Sequence, residues 1–441
     1  MAYDDFIVNI FPGQSDDYHV LAESSGAEAR GTFLVPAELV TSPWDSLIPA
    51  GRDLLPAHGT RPSSSIATRE VGERLFQALF TDDVLRLFDQ SMPNSSREPW
   101  RGLRLRLKID RRLVLVFGLP WELLYLPSTR DFLGLSRRTP IARTLSVPRF
   151  VEPQLPATRL RILVIASRIS CFSALDLEAE RCQLEAIAGW RRNLDIVFLP
   201  IATREELSQS LCQARDQFDP FHVLHFMGHG SFLADAGEGV LLFEGEYNKP
   251  EEVTGQSLAD EIKDFPSLRL VVLNACQTGR ITDRSGLDPF AGVASALVLA
   301  GVPAVIAIRS RVSDQAAITL SKTLYRRLVK GDPVDVAMAE CRRAIWRKEE
   351  TKGEWGLPLL FLRGQIHPLF QVQPDPRLQA IARGLAGFAL SVLIATVLLL
   401  GLRTQPHVNR VSPTAMSESL ELNNAGVALL DQRKVPPATP S

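Results

Sequence analysis

Between residue 160 and about residue 310, short runs of Val, Ile, Leu and Phe alternate with longer amphipathic stretches. This alternation constrains the fold more than any other feature. The runs at 160–166, 194–199, 221–226, 268–274 and 304–308 read as strands buried on both faces. The stretches at 175–190, 204–218, 255–262 and 289–299 have helical spacing, and 315–330 and 333–347 read as two closing helices. Such strands, alternating with helices, imply a largely parallel sheet in a three-layer α/β fold.

The region before it, 1–150, reads as α+β. Short strands are expected at 6–11, 18–23 and 32–35, and one amphipathic helix across 71–92. Leu103, Leu105, Leu107 and Ile109 alternate with Arg104, Arg106 and Lys108, which predicts a strand with one dry side and one solvated basic side. The LPWELLYL stretch at 119–126 has a proline suited to a first helical position, followed by a dense apolar cluster. It reads as a short helix packing this region onto the α/β unit.

Behind the α/β unit at 155–365 and a linker at 366–383, residues 384–402 contain no charged side chain. As a helix they would extend roughly 28 Å, close to the thickness of a bilayer's hydrocarbon core. One transmembrane helix is therefore expected, with the lipid bilayer as a partner. In the tail at 403–441, residues 421–434 resemble the first helix of a tetratricopeptide repeat, and no second helix follows. The start of the sequence lacks the basic flank and apolar core of an export signal. The five cysteines include no CxxC pair. Together these predict a single-pass membrane protein with its α/β domain in the reducing cytoplasm, and no zinc or other metal site. A net charge of −1 gives no electrostatic reason to expect nucleic acid.

Chemistry concentrates at two strand ends. FHVLHFMGHGS closes one strand with His229 between Gly228 and Gly230, and LRLVVLNACQTG closes another with Asn274, Ala275 and Cys276. Ligands of open α/β sheets bind outside the carboxyl ends of the strands, so neighbouring strands would bring His229 and Cys276 into one crevice. A thiolate supplies a nucleophile stronger than water, and an imidazole can take its proton and return it to a leaving amine. The backbone N–H groups of Gly230 and Cys276 are the expected oxyanion donors. No Asp or Asn is placed by sequence as an orienter, and no cofactor is called for. His222 and His225, on the approach to the crevice, read as structural.

Five stretches carry a family resemblance: LPWELLY at 119–125, FLGLSRRTPIAR at 132–143, HFMGHGSF at 225–232, NACQTG at 274–279 and AGVPAVIAI at 300–308. Across approximately 1–365 the chain resembles the CHAT domains, caspase-like cysteine peptidases of clan CD. The resemblance puts the family's catalytic histidine on His229 and its cysteine on Cys276, and their spacing is near the roughly 50 residues of caspases. It implies a caspase-like fold, protein or peptide substrates, and tetratricopeptide partners or fusions in bacterial defence or regulated proteolysis. Where the family often has Gln-Phe-Pro-Ile-Ser-Asp after the fifth strand, this chain has Arg309, Ser310, Arg311, Val312, Ser313 and Asp314. That loop walls the specificity pocket in related folds, which makes Arg309, Arg311 and Asp314 candidate pocket residues. A catalytically silent scaffold for protein–protein interaction is the alternative reading.

Overall fold

The computed structural model describes residues 1–14, 17–37, 39, 64–94, 97–110, 112–145, 159–169, 177–190, 193–233, 238–277, 289–309, 312–348, 352–364, 369–370, 391–392 and 394–396. Residues 1–373 form one compact unit and 374–441 a second.

In chain order the first part contains β1 (Ala2–Pro12), β2 (Asp17–Ser24), β3 (Ala27–Leu34), α1 (Ser64–Leu79), α2 (Asp82–Ser91), β4 (Arg101–Ile109), α3 (Val114–Phe117), β5 (Tyr125–Leu126), β6 (Asp131–Phe132) and β7 (Ile141–Leu145). The second contains β8 (Leu160–Ala166), α4 (Leu177–Trp190), β9 (Leu194–Phe198), α5 (Arg204–Asp216), β10 (Val223–Leu233), β11 (Glu238–Glu244), β12 (Pro250–Thr254), α6 (Gly255–Ile262), β13 (Leu270–Gln277), α7 (Pro289–Ala300), β14 (Ala304–Ile308), α8 (Asp314–Leu328), α9 (Val334–Trp346) and β15 (Pro358–Arg363).

β9, β8, β10, β13 and β14 lie side by side and all parallel, as the buried apolar runs predict. β10 continues past the end of β8 and turns into an antiparallel hairpin with β11 and β12. β15 pairs antiparallel with β14 and parallel with β7, and β7, β4 and β1 continue in parallel before β2 and β3 close the edge. The α+β region and the catalytic unit expected from the sequence thus share one continuous sheet. Helices cover both faces: α4 packs against α8 on one, and α6 against α7 on the other.

Three sequence expectations change. The basic side of β4 is covered by protein. Arg106 is buried, donates to the Gly364 carbonyl at 2.8 Å and pairs with Asp5 at 3.3 Å, while Arg104 meets Asp335 of α9 at 2.6 Å. Period-two alternation identifies two sides, but the groups that make one of them habitable, the buried Asp335 and the Gly364 carbonyl, come from distant parts of the chain. The LPWELLYL stretch is a single 3₁₀ turn at Trp121–Leu123 running into β5. Its Glu122 is fully buried against Arg143 of β7, with oxygens 3.0 and 2.7 Å from the guanidinium. The helix expected across 71–92 is two helices separated at Phe80 and Thr81. The break lets Phe76, Phe80 and Phe88 close around Phe6, with ring centroids 4.5–6.0 Å apart. α1 also lies so close to the 3₁₀ turn that a Cβ on Gly72 would stand 2.0 Å from the Leu123 carbonyl oxygen.

Among the described residues no helix is long and apolar enough to cross a membrane. The expected transmembrane helix falls almost wholly outside the described residues, which there comprise 391–392 and 394–396, and the repeat-like segment at 421–434 lies wholly outside them.

Candidate active site

β10 and β13 are parallel neighbours, and their register pairs His229 with Cys276 and Gly230 with Gln277. Adjacent strands lie about 4.8 Å apart, and paired positions occupy the same face of the sheet. The backbone positions of His229 and Cys276 are therefore neighbours on two adjacent parallel strands. β8 stands beside β10 and its partner β9 lies on the far side, so the order β9-β8-β10-β13-β14 reverses direction between β8 and β10. That switch point is where open α/β sheets form their ligand crevice.

The strand ends need small residues. A Cβ on Gly228 would lie 3.0–3.1 Å from the Phe226 ring and from Ser167 Cβ. Ser167 secures this junction, donating its amide to the Met227 carbonyl at 2.9 Å and its hydroxyl to the Leu242 carbonyl at 2.7 Å. His229 is buried, as is Gly230.

A polar cluster that sequence reasoning missed lies beside β10 and β13, next to Asn274 and His225. Glu180, from α4, is buried and accepts from Asn274 Nδ2 at 2.7 Å and from the Ser321 hydroxyl of α8 at 2.6 Å. His225 Nε2 stands 3.6 Å from the same carboxylate, and His225 Nδ1 is 2.8 Å from the Tyr325 hydroxyl. Burial pushes Glu180 up to about 7, against the lowering effect of the Ser321 and Asn274 bonds. Burial also holds His225 down to about 3, so it is a neutral imidazole. The structural reading of His225 fits this setting. His222 likewise sits at the start of its strand, accepting the Arg161 amide at 3.1 Å.

Of the pocket candidates, Arg309 is buried and turned toward the N-terminal region, where its guanidinium donates to the carbonyls of Gly118 and Leu119. Arg311 lies outside the described residues. Asp314 opens α8 directly after Ser313, whose hydroxyl caps the helix by accepting the Ala316 amide. Ser313 donates in turn to the Glu354 carboxylate through both its amide and its hydroxyl, at 2.7 and 3.0 Å. Among the described residues no cluster of three or more His, Cys, Asp or Glu could hold a metal ion.

No curated protein matches the chain. Two crystal structures of the Saccharomyces cerevisiae separase–securin complex, at 3.0 and 2.6 angstrom resolution, are similar to it at 16% and 15% identity with TM-scores of 0.37 and 0.35. Each similarity covers 59% of this chain but only 15% and 16% of the other. The family model described as the CHAT domain matches residues 69–407, extending beyond the α/β unit expected at 155–365 on its C-terminal side. That match takes in most of the chain, which belongs to the CHAT domain family.

Proposed function

We propose that the chain is a caspase-like cysteine endopeptidase acting on protein substrates through a His229/Cys276 dyad. The register that pairs those two residues at adjacent strand ends carries the reading. Membership of the CHAT domain family supports it.

On this reading His229 removes the Cys276 thiol proton, and the sulfur bonds to the scissile carbonyl carbon as the carbonyl electron pair moves onto oxygen. The N–H groups of Gly230 and Cys276 donate to that oxyanion, a contribution of about 100- to 1000-fold per donor. Collapse breaks the C–N bond, and the leaving amine takes the proton from the His229 imidazolium. Water, deprotonated by the same imidazole, then hydrolyses the thioester and restores the thiol. Asp314, at the mouth of α8, is assigned to a pocket for a basic side chain. The buried position of Arg309 removes one positive charge that would otherwise compete there.

The uncharged segment 384–402 is assigned to a single membrane crossing, with the catalytic domain on the cytoplasmic side and a tetratricopeptide-containing protein as a candidate partner of the tail. Resistance to high-pH carbonate extraction is expected, and release into the soluble fraction would contradict the crossing.

Peptide-library profiling of the full-length chain beside Cys276→Ala and His229→Ala tests the enzymatic reading. Cleavage after a defined residue by the wild type, lost in both variants with the fold retained, is the expected result. Wild-type turnover in either variant would end the dyad assignment, and no cleavage by any form would favour the scaffold reading.

A further inference from the structure

We propose that Glu180 is a positioning residue for Cys276, acting through Asn274 to hold the end of β13 in register with His229; this rests on the peptidase reading of the site. β14 supports β13 only along Leu270–Leu273, whereas β10 pairs with it as far as Gln277. From Asn274 onward the strand carrying the nucleophile has a described strand neighbour on one side alone. Asn274 is the first residue past the β14 pairing, and strand parity puts positions 274 and 276 on the same face.

On that face the side chain of Asn274 does not pack into an apolar layer. It donates to Glu180 at 2.7 Å, and Glu180 is itself fixed by Ser321 at 2.6 Å. The carboxylate thus ties the unsupported strand end to two helices, α4 and α8, that approach from the same layer. Both of its oxygens accept, one from each donor. Alanine at 180 removes both acceptors, whereas a glutamine could still accept from Asn274 and donate to the Ser321 hydroxyl, which acts as donor or acceptor. A lost tie lets the Cys276 backbone drift from His229, and displacements of about 1 Å cost on the order of 100-fold in such reactions.

The test is a double-mutant cycle in the full-length chain: Glu180→Ala, Asn274→Ala and the pair, with kcat, KM and thermal midpoint measured for each. A kcat lowered by on the order of 10- to 100-fold, with KM within about threefold, is expected for each single variant. The double variant should be no slower than the slower single, because both changes cut one tie. Full additivity, a wild-type kcat in Glu180→Ala, or losses that follow the thermal midpoint would overturn the proposal. If the wild type cleaves nothing, the peptidase reading fails, and the tie is then judged from the rate of Cys276 alkylation by iodoacetamide. A change of that rate by the same factor in both single variants upholds the tie; an unchanged rate, or a thiol unreactive in every form, overturns it.

Discussion

Glu122→Gln removes the carboxylate lodged between two buried guanidinium groups. Arg143 grips it through Nε and an Nη nitrogen at 3.0 and 2.7 Å, and Arg342 stands 3.9 Å away. Burial raises the pKa of Glu122, but the two arginines outweigh it and hold the group ionised below its ordinary range. The site joins three parts of the chain. Arg143 also donates to the carbonyls of Phe117 and Leu119, and Arg342 to that of Pro358 at the start of β15. Removing one partner of a buried pair costs about 3–5 kcal/mol, chiefly by leaving the opposite charge uncompensated. With two arginines stranded, a loss of about 4 kcal/mol is expected. At a urea dependence of about 2–3 kcal/mol/M this lowers the midpoint by about 1–2 M. Urea titration of the full-length chain, read by the fluorescence of the buried Trp121 and Trp355, measures it. Replacing Arg143 with Met in the same chain should recover part of the loss. A fall below about 1 kcal/mol in the single variant would refute the argument that this ion cluster binds the N-terminal region to the rest of the sheet.

Other outcomes rest on the same set of contacts. Because the folded-state pKa of Glu180 is raised to about 7 from an ordinary 4.5, its ionisation opposes folding: the cost is absent below about pH 4.5, grows as pH rises, and is complete above about pH 7. It amounts to about 3 kcal/mol. Glu180→Gln should therefore gain stability relative to the wild type between about pH 5 and 8, and a pH-independent difference between the two urea midpoints would contradict this. Phe88→Ala opens a hole among Phe6, Phe76 and Phe80 and should cost about 3–5 kcal/mol by the same titration; a cost under about 1 kcal/mol would mean that the aromatic cluster collapses to fill it. Arg309→Ala should lower stability by about 1–3 kcal/mol through lost bonds to Gly118 and Leu119 while leaving the preference for the residue before the cleaved bond unchanged; an altered preference in substrate profiling would return Arg309 to the pocket.

The parallel strands were legible because β8, β10, β13 and β14 are buried on both faces and leave short apolar runs, while β9 beyond β8 is only partly buried yet still apolar. β8, α6 and β14 coincide with their expected limits, and β10 and β13 end in the motifs that drew attention to His229 and Cys276. The N-terminal region was harder, because its order comes from charges that are paired at a distance. Glu122, Arg143, Arg106 and Asp335 look like solvent-facing residues along the sequence and become core residues through partners up to hundreds of positions away. β11 and β12 were missed for a different reason: Val240–Phe243 is an apolar run of only four residues set among glycines and glutamates, and β12 buries a single side chain, Val253. Glu180 was hidden inside an ordinary amphipathic helix. A glutamate on the face that also presents Leu184 and Ile187 to the core was the available sign.

The central claim is that Cys276 is a nucleophile served by His229, and the most direct measurement is the intact mass of the enzyme quenched in acid during turnover of a cleaved peptide ester. An increment equal to the acyl portion of the substrate, mapped to Cys276, absent in Cys276→Ala and failing to form in His229→Ala, is the predicted result. Turnover with no acylated enzyme, or an increment mapped to another residue, would contradict it.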